Sequence, residues 1–269
     1  MGDKVAALVS KNYETRDWEF DPFLLNFATG CKKHLAKFDE TFDLNIPLIL
    51  RGVGGGARKA IQHCWDTGRT FYIIDTGYFG NHKHKIYHRI TKNNLQNIGP
   101  IVPRDASRLA KINYKYTPFT PGNKILICPP SEKVMNIFHQ PNPEVWTNNV
   151  IKELKKYTDR LIEVRMKPSR TERISTKTIE QALADDVHCL ITYNSIAAAE
   201  ALMNGKPAIA LGPNAAQILC NTKLSDIESL NTVDENNMRK FLAHLSYCQF
   251  TEAEMQNGYA WAVLQESYL

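Results

Sequence analysis

The sequence VHCLITYNSIAAAEALMNGKPAIALG, residues 187–212, decides the fold class of this chain. Its first residues are mostly apolar, as in a buried strand, and the alanine-rich stretch after Ser195 favours a helix. Gly205 follows in the position where glycine commonly ends a helix, and Pro207–Leu211 forms a second apolar run. The order strand, helix, strand predicts a βαβ unit with a parallel sheet.

The same alternation extends along most of the chain. Further strands are predicted at Val5–Val9, Pro47–Leu50, Phe71–Asp75, Lys124–Cys128 and Leu161–Arg165. Further helices are predicted at Ala57–Thr67, Glu144–Tyr157, Thr178–Ala184, Glu235–Tyr247 and Glu252–Gln265. From Phe79 to Asn123 the chain is polar, basic and rich in glycine and proline, and the alternation stops. We therefore predict an α/β fold with two Rossmann-like units facing a cleft, residues 1–120 and 121–269, and C-terminal helices that cross back.

The composition is that of an ordinary globular protein. The 269 residues are 43% hydrophobic and 23% charged, with a net charge of +5. The six cysteines are dispersed along the chain, which favours reduced, buried thiols. No apolar run reaches the length of a membrane span, so we expect a cytoplasmic protein with no membrane partner.

A phosphate site is predicted where strands of the C-terminal half end. In parallel α/β sheets ligands bind beyond the carboxyl ends of the strands. The side chains expected there are Ser131, Arg165, Lys167, Ser169, Arg170, Arg173, Tyr193, Asn194 and Ser195. Arginine and lysine suit a diphosphate, and a helix start favours an anion. The alternatives are that Ser195 only caps its helix and that the cations form a solvated loop.

The N-terminal half contains a second candidate site. The run Gly52-Val-Gly54-Gly55-Gly56-Ala57 follows a predicted strand, and Asp75 ends the next one. This spacing is typical of a dinucleotide-binding turn, which would make the protein an NAD(P)-dependent oxidoreductase. The chain has no P-loop, zincin or nucleophile-elbow motif.

Cations and aromatic residues alternate in the middle of the chain. The segments are His82–Lys92 and Arg104–Tyr116. This pattern fits contact with double-stranded DNA, and it fits a solvated loop or a lid equally well. The three histidines of the first segment lack a fourth ligand, so no metal site is expected. A non-catalytic nucleotide- or DNA-binding protein is therefore a further hypothesis.

Several short motifs resemble one enzyme family. They are Lys167-Pro-Ser-Arg170, Thr192-Tyr-Asn-Ser195, Gly205-Lys-Pro207 and Leu211-Gly-Pro213. Together they resemble the donor-binding half of GT-B-type glycosyltransferases, in the branch with capsular-polysaccharide transferases and small phage-encoded, DNA-modifying transferases. The resemblance implies that Ser195 binds the donor phosphate and that Glu200 binds the donor ribose.

The resemblance implies transfer of a sugar from a nucleotide-diphosphate donor to an acceptor hydroxyl, with a hydroxymethylated base in phage DNA as one candidate acceptor. Asp75 is then the candidate general base, and its alternative role is to cap the turn that follows it. The residues expected at the acceptor are Gly54, Gly55, Arg58, Tyr78, His88 and Arg89. Cations hold the leaving diphosphate, so no cofactor or metal is expected. The sugar, the stereochemistry and the oligomeric state stay open.

Overall fold

The computed structural model describes residues 4–7, 21–37, 44–54, 56–81, 86–112, 114–167 and 177–266. The chain forms two compact units. The first comprises Met1–Asn97 and His244–Leu269, and the second comprises Ile98–Ala243. The predicted division at residue 120 therefore lies inside the second unit.

Strands and helices alternate through much of the described chain. The strands are β1 (Lys4–Ala7), β2 (His34–Lys37), β3 (Leu48–Arg51), β4 (Phe71–Thr76), β5 (His88–Lys92), β6 (Lys124–Ile127), β7 (Leu161–Val164), β8 (Val187–Thr192), β9 (Ala208–Ala210) and β10 (Gln249–Phe250). The helices are α1 (Pro22–Gly30), α2 (Ala57–Thr67), α3 (Ser107–Ala110), α4 (Glu132–Ile137), α5 (Pro143–Leu154), α6 (Ile179–Leu183), α7 (Ala197–Met203), α8 (Glu235–Ser246), α9 (Glu252–Gln256) and α10 (Tyr259–Glu266). Among the described residues, no helix combines the length and the apolar character needed to cross a membrane.

The first unit is built on a mixed sheet with the strand order β10-β5-β4-β3-β1-β2. β1 pairs in parallel with β2 and β3, and β3 with β4. β5 pairs antiparallel with β4 and β10. Phe27 of α1 packs against Tyr72 of β4 and Trp261 of α10 in the core of this unit. The backbones of α1 and α9 approach so closely that a Cβ on Gly30 would overlap the Met255 carbonyl.

The second unit is built on a parallel sheet with the order β7-β6-β8-β9. β6 and β8 are the inner strands, and their apolar side chains are buried, as expected for parallel strands covered on both faces. α7 brings Ala197, Ala198 and Ala199 into the interior, where small side chains permit close packing. α5 begins at Pro143, and the Asn142 side chain accepts a hydrogen bond from the Val145 amide as its N-cap.

The α/β prediction is confirmed, including parallel pairing in both sheets. Helix α2 has the predicted bounds. The predicted helix Glu252–Gln265 is instead two helices, because Gly258 interrupts it with φ of 87°. All six cysteines are buried and none is disulfide-bonded. β5 lies in the middle segment, where no strand was predicted.

Candidate functional site

All the strands of the second unit's sheet end at one edge, since every pair is parallel. We call this the carboxyl edge. Four short segments follow the strand ends there. They are Cys128–Ser131 after β6, Arg165–Lys167 after β7, Tyr193–Ser195 after β8 and Leu211–Asn214 after β9. The sheet therefore brings together the three segments in which the sequence analysis placed donor-site residues, and with them a fourth, after β9, in which it placed none.

Ser195 lies just before α7 and is half-buried. Its Oγ accepts a hydrogen bond of 3.2 Å from the Ala197 amide. The structural N-cap is Ile196, one residue later than the sequence suggested, and its side chain makes no capping bond. Ser195 thus binds a backbone amide at the start of α7 without being the N-cap of that helix. A hydroxyl that accepts one bond can also donate its hydrogen to a ligand.

Glu200 projects from the first turn of α7 into a desolvated environment. Burial, reinforced by the Glu180 carboxylate, raises the pKa of Glu200 to about 7. The cations Arg165 and Lys167 lie near enough to act in the opposite direction. Within the described part of the chain, no hydrogen bond or ion pair engages the Glu200 carboxylate. The carboxyl edge therefore holds a desolvated acid for which the described residues provide no hydrogen-bond or ion-pair partner.

Arg165 is anchored at the same edge. Its Nη2 donates a 3.0 Å hydrogen bond to the Lys177 carbonyl. Burial raises the pKa of the neighbouring Cys128 thiol to about 12. The charge of Arg165 lowers this pKa, and the charge of Glu200 raises it further. The ends of β6, β7 and α7 are thus electrostatically coupled.

The remaining donor-site candidates differ in their surroundings. Lys167 is exposed, and Ser131 is the half-buried N-cap of α4 without a side-chain capping bond. Asn194 is 6% exposed, and its side-chain amide donates to the Pro213 carbonyl, which makes it part of the scaffold. Ser169, Arg170 and Arg173 lie outside the described residues.

Tyr193 forms a wall of the second unit's core. Its ring lies edge-on to Phe138 and Trp146, with centroids 5.6 and 6.5 Å away. A Cβ on Gly212 would come within 2.5 Å of this ring. Tyr193 is nevertheless only half-buried, so its contact with the donor stays a prediction.

Asp75 ends β4 in the first unit with both carboxylate oxygens engaged. Oδ1 accepts from the Thr76 amide at 2.7 Å, and Oδ2 accepts from Arg89 Nη2 at 3.0 Å. Arg89 is 8% exposed and also donates to the carbonyls of Thr76 and Leu95. Asp75 thus caps the turn after β4, as the alternative interpretation held, and a buried guanidinium holds it in one orientation. Its role as a base stays a prediction.

The turn after β4 is held from inside the first unit. Gln249 is fully buried, and its Oε1 accepts from the amides of Tyr78 and Phe79 at 2.7 and 3.2 Å. The Tyr78 hydroxyl donates to Asn97, and His88 lies against the Phe23 ring at 4.2 Å. Tyr78 and His88 are each 2% exposed.

These positions correct part of the predicted acceptor site. Tyr78 lies in the turn after β4, and His88 and Arg89 lie in the buried strand β5. All three are interior residues and cannot touch an acceptor in this structure. Gly54 is half-buried, Arg58 is exposed on α2, and Gly55 lies outside the described residues. Within the described ranges, no group of three or more metal-ligating side chains is found.

The fold resembles two solved transferases. KpsC from Thermosulfurimonas dismutans, described as a beta Kdo 2,4 transferase, is 13% identical with a TM-score of 0.50, and the match covers 91% of each chain. A second KpsC structure from that organism, a beta Kdo 2,7 transferase, is 11% identical with a TM-score of 0.52, over 97% of this chain and 99% of the other. At this identity the likeness shows the fold alone. Neither description mentions DNA.

No protein-family model matches the chain. No curated protein matches it either.

The sequence analysis missed one residue that supports the carboxyl edge. Asn214 is 2% exposed and donates to the Ser195 carbonyl. The signal available was an Asn after Gly212-Pro213, at the end of a predicted strand.

Proposed function

We propose that this protein is a glycosyltransferase of the GT-B type, and that it binds a nucleotide-sugar donor at the carboxyl edge of the second unit. The observation that carries the proposal is Glu200, a half-buried carboxyl group near Arg165 and Lys167 where four parallel strands end, with no hydrogen bond or ion pair to its carboxylate among the described residues. Buried ionisable groups with strongly shifted pKa values cluster at functional sites. The fold likeness to two Kdo transferases supports the same activity.

Each group at the edge has a chemical role in this proposal. Arg165 and Lys167 neutralise the donor phosphates, and they stabilise the charge that develops on the leaving nucleotide. The Ser195 hydroxyl donates to a phosphate oxygen while it accepts from Ala197. The ionised Glu200 accepts from ribose hydroxyls, which supply hydrogen bonds that the described residues do not give it.

The acceptor side is proposed from the first unit. Asp75 is the candidate base that takes the acceptor proton, and the buried Arg89 orients its carboxylate. The glycine-rich turn before α2 is the candidate acceptor contact. A DNA acceptor rests on the basic middle segment alone, so it enters the tests only as one acceptor among others.

Ligand binding tests the proposal directly. Thermal unfolding should be measured with CMP-, UDP- and GDP-sugars, with nucleotide-activated Kdo included because of the structural neighbours, and with NADH. A donor present at 100 times its Kd stabilises the native state by about 2.7 kcal/mol. If NADH stabilises the protein and no nucleotide sugar does, the oxidoreductase hypothesis replaces this one.

A matched pair of arginine variants locates the donor. Arg165→Gln should weaken donor binding by about tenfold or more, since it removes a charged phosphate contact. Arg239→Gln is the control, because Arg239 lies on the exposed face of α8 and pairs with Glu235 at 2.7 Å. Equal effects of the two changes would refute the placement of the donor at the carboxyl edge.

A further inference from the structure

Two turns of the carboxyl edge are joined by hydrogen bonds in both directions. The amides of Leu211 and Gly212 donate to the carbonyls of Thr192 and Tyr193 at 2.9 and 3.0 Å. Beyond the strand pairing, Asn194 donates through its side chain to the Pro213 carbonyl. The segments after β8 and β9 are therefore held as one body.

Asn214 closes this arrangement next to Ser195. Its Nδ2 donates to the Ser195 carbonyl at 2.8 Å, and its Oδ1 accepts from the Ala216 amide at 3.0 Å. The Ser195 carbonyl also accepts a longer bond of 3.4 Å from the Ala198 amide in α7. One buried side chain thus ties the start of α7 to the turn after β9.

The chemistry of this position calls for a neutral amide. Asp at 214 keeps the acceptor for Ala216, but it places a carboxylate against the Ser195 carbonyl, and two acceptors repel. Ser at 214 also keeps an acceptor for the turn, and its shorter side chain withdraws the donor. In both cases the Ser195 carbonyl loses its shorter hydrogen bond and keeps only the 3.4 Å bond from the Ala198 amide.

We propose that Asn214 is a positioning residue of the donor site, which fixes the Ser195 peptide and thereby aims the Ser195 hydroxyl at the donor phosphate. The proposal rests on the proposed function, since it takes Ser195 as a phosphate contact. Asn214 itself touches no ligand. The side-chain amide of Asn214 fixes the turn that contains Ser195 to the turn after β9, as a supporting residue does for a preorganised site.

A double-mutant cycle separates positioning from plain structural support. Donor affinity should be measured by calorimetry for the wild type, Ser195→Ala, Asn214→Asp and the combination. Ser195→Ala and Asn214→Asp should each weaken binding about tenfold. In the Asn214→Asp background, Ser195→Ala should cause almost no further loss, because a misaimed hydroxyl no longer contributes.

Two further variants provide a control for the cycle and a substitute for Asn214→Asp. Asn257→Asp is the matched control, since Asn257 lies in the first unit and its Oδ1 accepts a 3.0 Å hydrogen bond from the Tyr259 amide two residues on, an acceptor role that survives the change. Asn214→Ser repeats the cycle if Asn214→Asp does not fold. If neither variant at 214 folds, Asn214 serves folding and the positioning role is overturned.

Inorganic pyrophosphate distinguishes the two proposals. If the wild type binds pyrophosphate but no nucleotide sugar, the proposed function fails, and the same cycle run with pyrophosphate still decides the role of Asn214. If Ser195→Ala weakens binding equally in both backgrounds, or Asn214→Asp binds as the wild type does, the positioning role is wrong. If neither ligand binds, both proposals are overturned.

Discussion

Glu200→Gln should stabilise this protein at alkaline pH. Burial raises the pKa of Glu200 from 4.5 to about 7, so ionisation is harder in the native state than in the unfolded chain. One pKa unit corresponds to about 1.4 kcal/mol, and the shift of about 2.5 therefore costs the native state about 3 kcal/mol once Glu200 is ionised in both states. Glutamine has the same shape and never ionises, so it removes this cost.

The sign depends on pH in a defined window. A carboxyl group whose pKa is raised on folding gives stability that is complete below pH 4.5 and is lost as the pH rises through 7. We therefore expect Glu200→Gln to leave the free energy of unfolding nearly unchanged at pH 4.5. The gain should grow between pH 5 and 7 and reach about 3 kcal/mol by pH 8.5.

Urea denaturation at several pH values measures this effect. Glu144→Gln is the control, because Glu144 is an exposed residue in the first turn of α5, where a surface change alters stability by about 0.5 kcal/mol or less. A gain that is equal at pH 4.5 and 8.5, or a loss at pH 8.5, would show that Glu200 is not a desolvated acid.

Three further outcomes are expected. Donor affinity should increase as the pH rises through 7 in the wild type and lose this dependence in Glu200→Gln, by calorimetry; an unchanged pH profile would exclude Glu200 from the donor site. Gly30→Ala should destabilise the first unit by about 1–3 kcal/mol, because its Cβ overlaps the Met255 carbonyl; an unchanged midpoint in urea would contradict the close approach of α1 and α9. Arg160 holds the pKa of Glu228 at about 2, so Glu228→Gln should cost about 0.5–1 kcal/mol at pH 7 and less as the pH falls towards 2, and a cost that grows in acid would refute the pairing.

The sequence predicts best where local signals agree. The unit β8–α7–β9 combines an apolar run, an alanine-rich helix and Gly205, and the structure places all three elements there. Helix α2 has matching bounds because Gly68 terminates it with φ of 70°. These elements can be predicted from local sequence alone, without knowledge of residues distant in the chain.

A strand cannot be predicted from the sequence where its burial depends on partners distant in the chain. β5 contains His88 and Arg89, which suggest a polar surface, yet it is buried between β4 and β10. β10 has two residues, too few for any periodicity, and it joins the sheet from the far end of the chain. The carboxylate of Asp75 in β4 binds Arg89 in the neighbouring strand β5, so this contact could not be inferred from the place of Asp75 at a strand end.

The candidate site shows the same limit. Parallel strands placed the segments after β6, β7 and β8 at one edge, as predicted, because the edge follows from topology alone. The hydrogen bonds within the edge do not follow from topology. Asn214 and Ser195 meet only because two turns 19 residues apart have a particular register.

Glu200 connects the energetics of the edge to its function. An acid that costs about 3 kcal/mol when ionised, and that glutamine could replace without change of shape, is a poor choice for stability. Stabilising substitutions of this kind are easy to reach, and their usual cost is lost function at a strained site. Arg165 and Lys167 lower the pKa of Glu200 and so offset part of this cost, but within the described residues neither forms an ion pair with it. A ligand with phosphates for the cations and hydroxyls for the carboxylate would offset more of the cost, which is the reason we propose a nucleotide sugar as the ligand of this edge.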